Sequence, residues 1–167
     1  MIDDQVRDDG AKALHGLRNL GIQLFMLSGD RKETVNRLGR ELGFKSTELG
    51  WQLLPEDKLQ KLRKLKEIGS VAMVGDGIND APALAAADVG IAIGTGTQIA
   101  QETSDLVLLG DRLEGLPKAF LLARNTMSKI RQNLFWAFGY NLIALPIAAG
   151  LLLPGFGILL SPPIAAL

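Results

Sequence analysis

Met73-Val74-Gly75-Asp76-Gly77-Ile78-Asn79-Asp80-Ala81-Pro82-Ala83-Leu84 decides how this chain folds. Residues 71–74 are an apolar run of strand length. They lead into a turn with two carboxylates, an amide and two glycines, and a helix is expected to start near Pro82, which needs no N–H partner in a first turn. Strand, acidic turn and helix together place hard oxygen ligands at the carboxyl edge of a parallel sheet. The glycines allow backbone to approach a phosphate or a cation closely.

The pattern around this stretch repeats the alternation. Residues 8–20 predict a helix, with Ala11, Leu14, Leu17 and Leu20 apolar and Asp8 and Asp9 near its start. Residues 22–27 predict a buried strand, followed by Ser28-Gly29-Asp30. Residues 31–42 predict a second helix with Val35, Leu38 and Leu42 on one face, and residues 55–68 a third that opens on Pro55-Glu56-Asp57. A short helix over 81–87 and strands over 89–93 and 106–109 complete an α/β, doubly wound parallel sheet.

Composition narrows the function classes. The 167 residues carry 18 basic and 18 acidic side chains, and this balance gives no reason to expect nucleic acid as a partner. There is no cysteine, which excludes disulfides and thiolate metal sites within the chain. The one histidine, His15, lies at helical spacing and reads as a surface residue. The first residues, Met1-Ile2-Asp3-Asp4, lack the basic and apolar regions of a signal peptide.

Charge is confined to residues 1–131. Residues 114–133 predict an amphipathic helix with Lys118, Arg124, Lys129 and Arg131 that runs on into 134–153, twenty residues without a charge. That length matches the roughly 20 apolar residues a membrane helix needs. The basic residues before it place residues 1–133 on the cytoplasmic side, and Trp136 and Tyr140 suit an interface. Pro154-Gly155-Phe156-Gly157 predicts a turn, and 158–167 the truncated start of a second span. The competing reading of this tail is a buried core helix and a loop.

Three segments are expected to meet at one sheet edge. The Ser28 hydroxyl suits a phosphoryl oxygen, Lys58 in Leu54-Pro55-Glu56-Asp57-Lys58 offers a fixed cation, and Asp76 and Asp80 offer carboxylates to magnesium. Asn79 is positioned to orient a phosphate or a water. Taken singly, each has a plain structural reading as turn chemistry or solvated charge.

The run from Val74 to Leu84 resembles the hinge motif of P-type cation-transporting ATPases, members of the haloacid dehalogenase-like superfamily with its Rossmann-like sheet. Met26-Leu27-Ser28-Gly29-Asp30 resembles the family's Thr-Gly-Asp segment with serine for threonine. Pro55-Glu56-Asp57-Lys58 resembles its lysine motif, and Asp4-Gln5-Val6-Arg7 its Asp-x-x-Arg stretch. The resemblance implies a partial phosphorylation domain over 1–113, then the cytoplasmic helix 114–133 and the transmembrane helices. It implies Asp76 as magnesium ligand in a turn shaped by Gly75 and Gly77, completed by Asn79 and Asp80. It further implies Lys58 against an aspartyl-phosphate, Ser28 and Gly29 at its oxygens, and Asp30 supporting the loop. ATP would be the phosphoryl donor.

The family's Asp-Lys-Thr-Gly, which carries the phosphorylated aspartate, does not occur in the sequence. The expectation is therefore a fragment of a longer transporter whose nucleotide domain lies elsewhere. Tyr140 and Asn141, polar in the apolar run, resemble the Tyr-Asn motif of the copper(I)/silver(I) branch. The lysine typical of the zinc/cadmium branch is missing from that helix, and Leu160-Ser161-Pro162-Pro163 also resembles the copper branch. The implied cargo is Cu+ or Ag+, and the implied partners are membrane lipid and a metallochaperone. Two alternatives remain: a soluble haloacid dehalogenase-like phosphatase, and a catalytically inactive membrane-anchored fragment.

Overall fold

The structure, a computed structural model, describes residues 8–75, 79–94, 102–110 and 113–148. In order these form α1 (Asp8–Asn19), β1 (Met26–Leu27), α2 (Lys32–Glu41), a short 3-10 turn (Ser46–Glu48), β2 (Leu49–Gly50), α3 (Pro55–Lys66), β3 (Ala72–Gly75), α4 (Ala81–Ala86), β4 (Val89–Gly94), β5 (Leu106–Leu109) and α5 (Gly115–Ala148). The chain divides into two compact units, residues 1–120 and 121–167.

The first unit has the expected α/β architecture with parallel strands. Among the described residues the strands form two ladders rather than one: β1 pairs with β2, and β3-β4-β5 form a three-stranded sheet. The register of the larger ladder sets Val74 beside Ile91 and Ile91 beside Leu106. Strand 22–27 is shorter than expected, because only Met26 and Leu27 find ladder partners, at Leu49 and Gly50. The sequence reading missed β2 altogether. Two residues are too few to show a period-2 pattern.

The core gathers where α1 and the start of α5 cover the sheet. Leu17, Ile91 and Leu116 are buried together, with Ile22, Leu24, Val74, Leu108 and Phe120 packed around them. A second buried set, Leu62 with Leu84, belongs to α3 and α4. Each fully buried leucine or isoleucine contributes about 1.5–3 kcal/mol relative to exposure.

The expected helix faces shift slightly. In α1 Ala13 and Leu17 are buried while Ala11 is exposed. In α2 the buried pair is Val35 and Gly39. A methyl group at Gly39 would come within 2.7 Å of the Leu49 side chain, so hydrogen alone lets α2 sit on β2. His15 is exposed, hydrogen-bonded to Asn19 one turn on at 3.1 Å.

The second unit is described over 121–148, all of it within α5. Its large apolar side chains are exposed, among them Phe135, Trp136, Phe138 and Leu142. The expected helix from 114 into the apolar run is continuous to Ala148. Among the described residues no helix is long and apolar enough to cross a membrane; the expected span over 134–153 runs past the last of them, Ala148. Gln132, Asn133, Gly139, Tyr140, Asn141 and Pro146 dilute the apolar character of 131–148. Residues 149–153 of that span, and the start of a second over 158–167, lie outside the described residues.

Candidate functional site

The site is built at the carboxyl ends of β1 and β3. Lys58 stands in the first turn of α3. Pro55 opens this helix, and Asp57 Oδ2 accepts the Leu54 N–H at 3.0 Å. This acid three residues into the helix fixes the turn that carries Lys58. Lys58 Nζ then reaches across to Asp80 Oδ1 at 2.7 Å, with both side chains largely buried at 13% and 15% exposure.

Asp80 holds the N-cap position of α4, and its carbonyl accepts the Leu84 N–H at 2.8 Å. A carboxylate at that position ordinarily caps its own helix. Here the side chain makes no cap bond and is turned to Lys58 instead. The backbone leaves room for this. A Cβ on Gly75 would lie 2.8 Å from Asp80 Oδ2 and 2.9 Å from its Cβ, so the carboxylate rests in a cradle that only glycine provides.

Ser28 and Asp30 form a closed turn at the end of β1. The Ser28 hydroxyl donates to Asp30 Oδ2 at 2.7 Å, and the Asp30 N–H donates back to Ser28 Oγ at 3.1 Å. The Ser28 hydroxyl is therefore engaged within its own turn, and it must exchange Asp30 for a phosphoryl oxygen to bind one. The loop after β2 pins this turn from outside. Ser28 N–H donates to the Gly50 carbonyl at 2.9 Å, Leu53 N–H to the Ser28 carbonyl at 3.0 Å, and Gln52 N–H to the Asp30 carbonyl at 2.8 Å.

Lys58 and Asp80 are thus directly joined. The Ser28–Asp30 turn is tied to the segment that immediately precedes α3. Asn79 is exposed beside Asp80. Asp76 and Gly77 lie outside the described residues. Among the described residues no three acidic, histidine or cysteine side chains gather. Tyr140 and Asn141 are exposed neighbours on α5. An apolar hollow lined by Phe25, Leu27, Leu49, Lys61, Leu65 and Ile68 contains none of the expected site residues.

Sequence reading missed two features near the site. One is the Gln52-Leu53 turn, which acts through main-chain groups and has no residue signature. The other is an ion pair from Lys66 Nζ to Asp88 Oδ1 at 3.0 Å. It joins the end of α3 to the turn before β4, with Lys66 also donating to the Ala86 carbonyl. Asp88 Oδ2 accepts the Val71 N–H at 2.9 Å. That backbone bond first, and Lys66 second, hold the Asp88 carboxyl below its ordinary range.

Comparison with known proteins gives a consistent picture. The family model for haloacid dehalogenase-like hydrolases matches residues 1–88. Copper-transporting ATPase 2 of Rhizobium meliloti is 49% identical over 166 residues, covering 99% of this chain and 20% of the relative. The silver-exporting P-type ATPase of Salmonella typhimurium is 51% identical, with the same coverage of each chain. A solved zinc-transporting PIB-type ATPase in the E2.Pi state superposes with a TM-score of 0.79 at 44% identity. That match covers 85% of this chain and 23% of the other. The chain therefore spans about a fifth of the length of the curated relatives it matches.

Proposed function

The chain belongs to the haloacid dehalogenase-like hydrolase family, and from that membership we propose that it serves as the phosphoryl-handling segment of a copper(I)- or silver(I)-exporting P-type ATPase. The observation that carries this reading is the Lys58–Asp80 pair, seated over Gly75 at the end of β3. Its position coincides with the motif stretch that led to the family.

The pair suits phosphoryl transfer, in which catalysis is chiefly positioning and charge stabilisation. Lys58 supplies a fixed cation that a phosphorylated aspartate, contributed from outside these 167 residues, would meet. Ser28 would exchange its bond to Asp30 for a phosphoryl oxygen, and the Asp30 N–H already directed at Ser28 Oγ would hold the hydroxyl in place. Asn79, exposed next to Asp80, would orient the phosphate or the water that later releases it. Magnesium fits the donor set. Asp80 offers a hard carboxylate oxygen above a hydrogen-only cradle, Asp76 a second, and magnesium is commonly held by one or two carboxylates together with substrate phosphate. The ion would offset the negative charge of the transferring group.

Copper(I) or silver(I) as cargo is supported by what the two curated relatives are said to carry. Tyr140 and Asn141 would line part of its path. They are oxygen and nitrogen donors, so the soft ligands that select a monovalent d10 ion would come from elsewhere in the protein. The intact protein would be integral to a membrane, and the exposed apolar side chains of α5 would be covered by its other helices and by lipid.

The test is ATP hydrolysis by the intact protein with Cu+, Ag+ and Zn2+ supplied in turn. Stimulation by Cu+ and Ag+, lost on Lys58→Ala, is the expected result. Stimulation by Zn2+ alone would overturn the choice of ion. Hydrolysis indifferent to all three would overturn the transport reading and favour a phosphatase.

A further inference from the structure

Among the described residues, Gln52 is the one non-glycine residue with a positive φ, at 52°. Glutamine enters this left-handed region rarely, and a β-branched residue there is a genuine outlier. Strain of this kind persists only where the surroundings enforce it. The surroundings here are the Ser28–Asp30 turn.

The left-handed residue turns two consecutive N–H groups toward that turn. Gln52 N–H reaches the Asp30 carbonyl at 2.8 Å and Leu53 N–H the Ser28 carbonyl at 3.0 Å, while Gly50 accepts from Ser28 N–H at 2.9 Å. The main-chain polar groups of Ser28 are thereby fixed by the end of β2 and by the loop after it. A second tie closes the other side, where the Lys32 ammonium, at the start of α2, sits 5.0 Å from the centre of the Trp51 ring. Two residues after Gln52, Leu54 accepts the Lys58 N–H and caps the helix that carries Lys58. One strained residue thus stands between the serine turn and the lysine helix and sets the backbone of both.

We infer that Gln52 is a positioning residue. Its left-handed backbone, not its side chain, holds the Ser28 hydroxyl and the Lys58 helix in register for a phosphoryl group. The inference rests on the phosphoryl-transfer reading for its consequence, but the clamp itself does not depend on that reading.

The test uses the intact protein with Gln52→Val, which disfavours positive φ, and Gln52→Gly, which permits it. The expected result is phosphoenzyme formation slowed about ten- to hundredfold at saturating ATP in the valine variant, the scale of a small misplacement of reacting groups. The KM for ATP should be unchanged, and the glycine variant should react like the parent. A valine variant with the parental rate overturns the inference. So does an equal loss in both variants, which would assign the role to the side chain. Hydrogen exchange decides the clamp separately, even if the valine variant does not fold or the parent shows no ATPase activity. The Gln52 and Leu53 amides should exchange well below exposed-loop rates in the parent. Exchange at open-loop rates overturns the clamp and leaves the ATPase reading untouched, whereas absent ATPase activity with protected amides overturns only the ATPase reading.

Discussion

Asp80 occupies the N-cap of α4 yet directs its carboxylate 2.7 Å to Lys58 Nζ on α3 rather than to its own helix. A helix start gives up a cap bond, worth typically about 1 kcal/mol, for an ion pair between two elements. Removing one partner leaves the other charge largely buried and unpaired. Lys58→Ala should therefore destabilise the domain by about 1–3 kcal/mol, below the cost seen for fully buried pairs. Asp80→Asn should cost less, because its side chain can still accept from Lys58 and regain the cap. In the double variant the losses should fall short of additivity, which urea unfolding of all four proteins would reveal. Additive losses would mean the pair is not energetically coupled.

Gly75 sets the position of that carboxylate. Gly75→Ala puts a methyl carbon where Asp80 Oδ2 and Cβ already lie at 2.8 and 2.9 Å. The expected penalty is about 1–3 kcal/mol, typical of overpacking, and the route of relief is movement of Asp80 away from Lys58. Combined with Lys58→Ala, the glycine change should then cost less than it does alone. A full penalty in that background would place the clash elsewhere than on the ion pair.

Asp88 predicts how the domain responds to acid. Its carboxyl is held below the ordinary 3.8 by the Val71 N–H first and by Lys66 second. A carboxyl depressed in the folded state binds fewer protons there than in the unfolded chain across the interval between its two pKa values. Its contribution is therefore fully present above about pH 4, fades as pH drops below 3.8, and is gone beneath the folded value. Asp88→Asn should lower stability at neutral pH and flatten the acid limb of the stability curve. The group is solvent-exposed, so added salt should shrink the difference from the parent. An acid limb identical in both proteins would remove Asp88 from the account.

The juxtaposition of two candidate residues was legible because their side chains lie where strand ends and a helix start converge. Lys58 and Asp80 lie 22 residues apart in sequence and were expected at one edge because each follows or faces a parallel strand. Their meeting at 2.7 Å bears that out. The two-ladder division was not legible. Residues 22–25 have strand composition, yet the ladder begins only at Met26, since pairing depends on what lies alongside and not on the residues themselves. The strained turn at Gln52 was invisible for a related reason: its contacts are main-chain, and glutamine gives no hint of a positive φ.

Arg18 gives a final case in which the structure assigns a role to an ordinary surface cation. Its guanidinium donates to the carbonyls of Leu42 at 2.9 Å and Gly43 at 3.0 Å, and it sits 5.0 Å from the centre of the Phe44 ring. Gly43, at φ +73°, ends α2 with the Phe44 N–H returning to the Gly39 carbonyl at 2.7 Å. The last carbonyls of a helix lack partners within it, and Arg18 supplies two donors from the end of α1. A lysine carries the same charge but cannot present two donors in one plane while lying flat on a ring. Arg18→Lys should therefore behave almost as badly as Arg18→Ala, each costing about 1–2 kcal/mol in thermal or urea unfolding. A lysine variant of parental stability would show that charge alone, acting on the helix dipole, accounts for the contact.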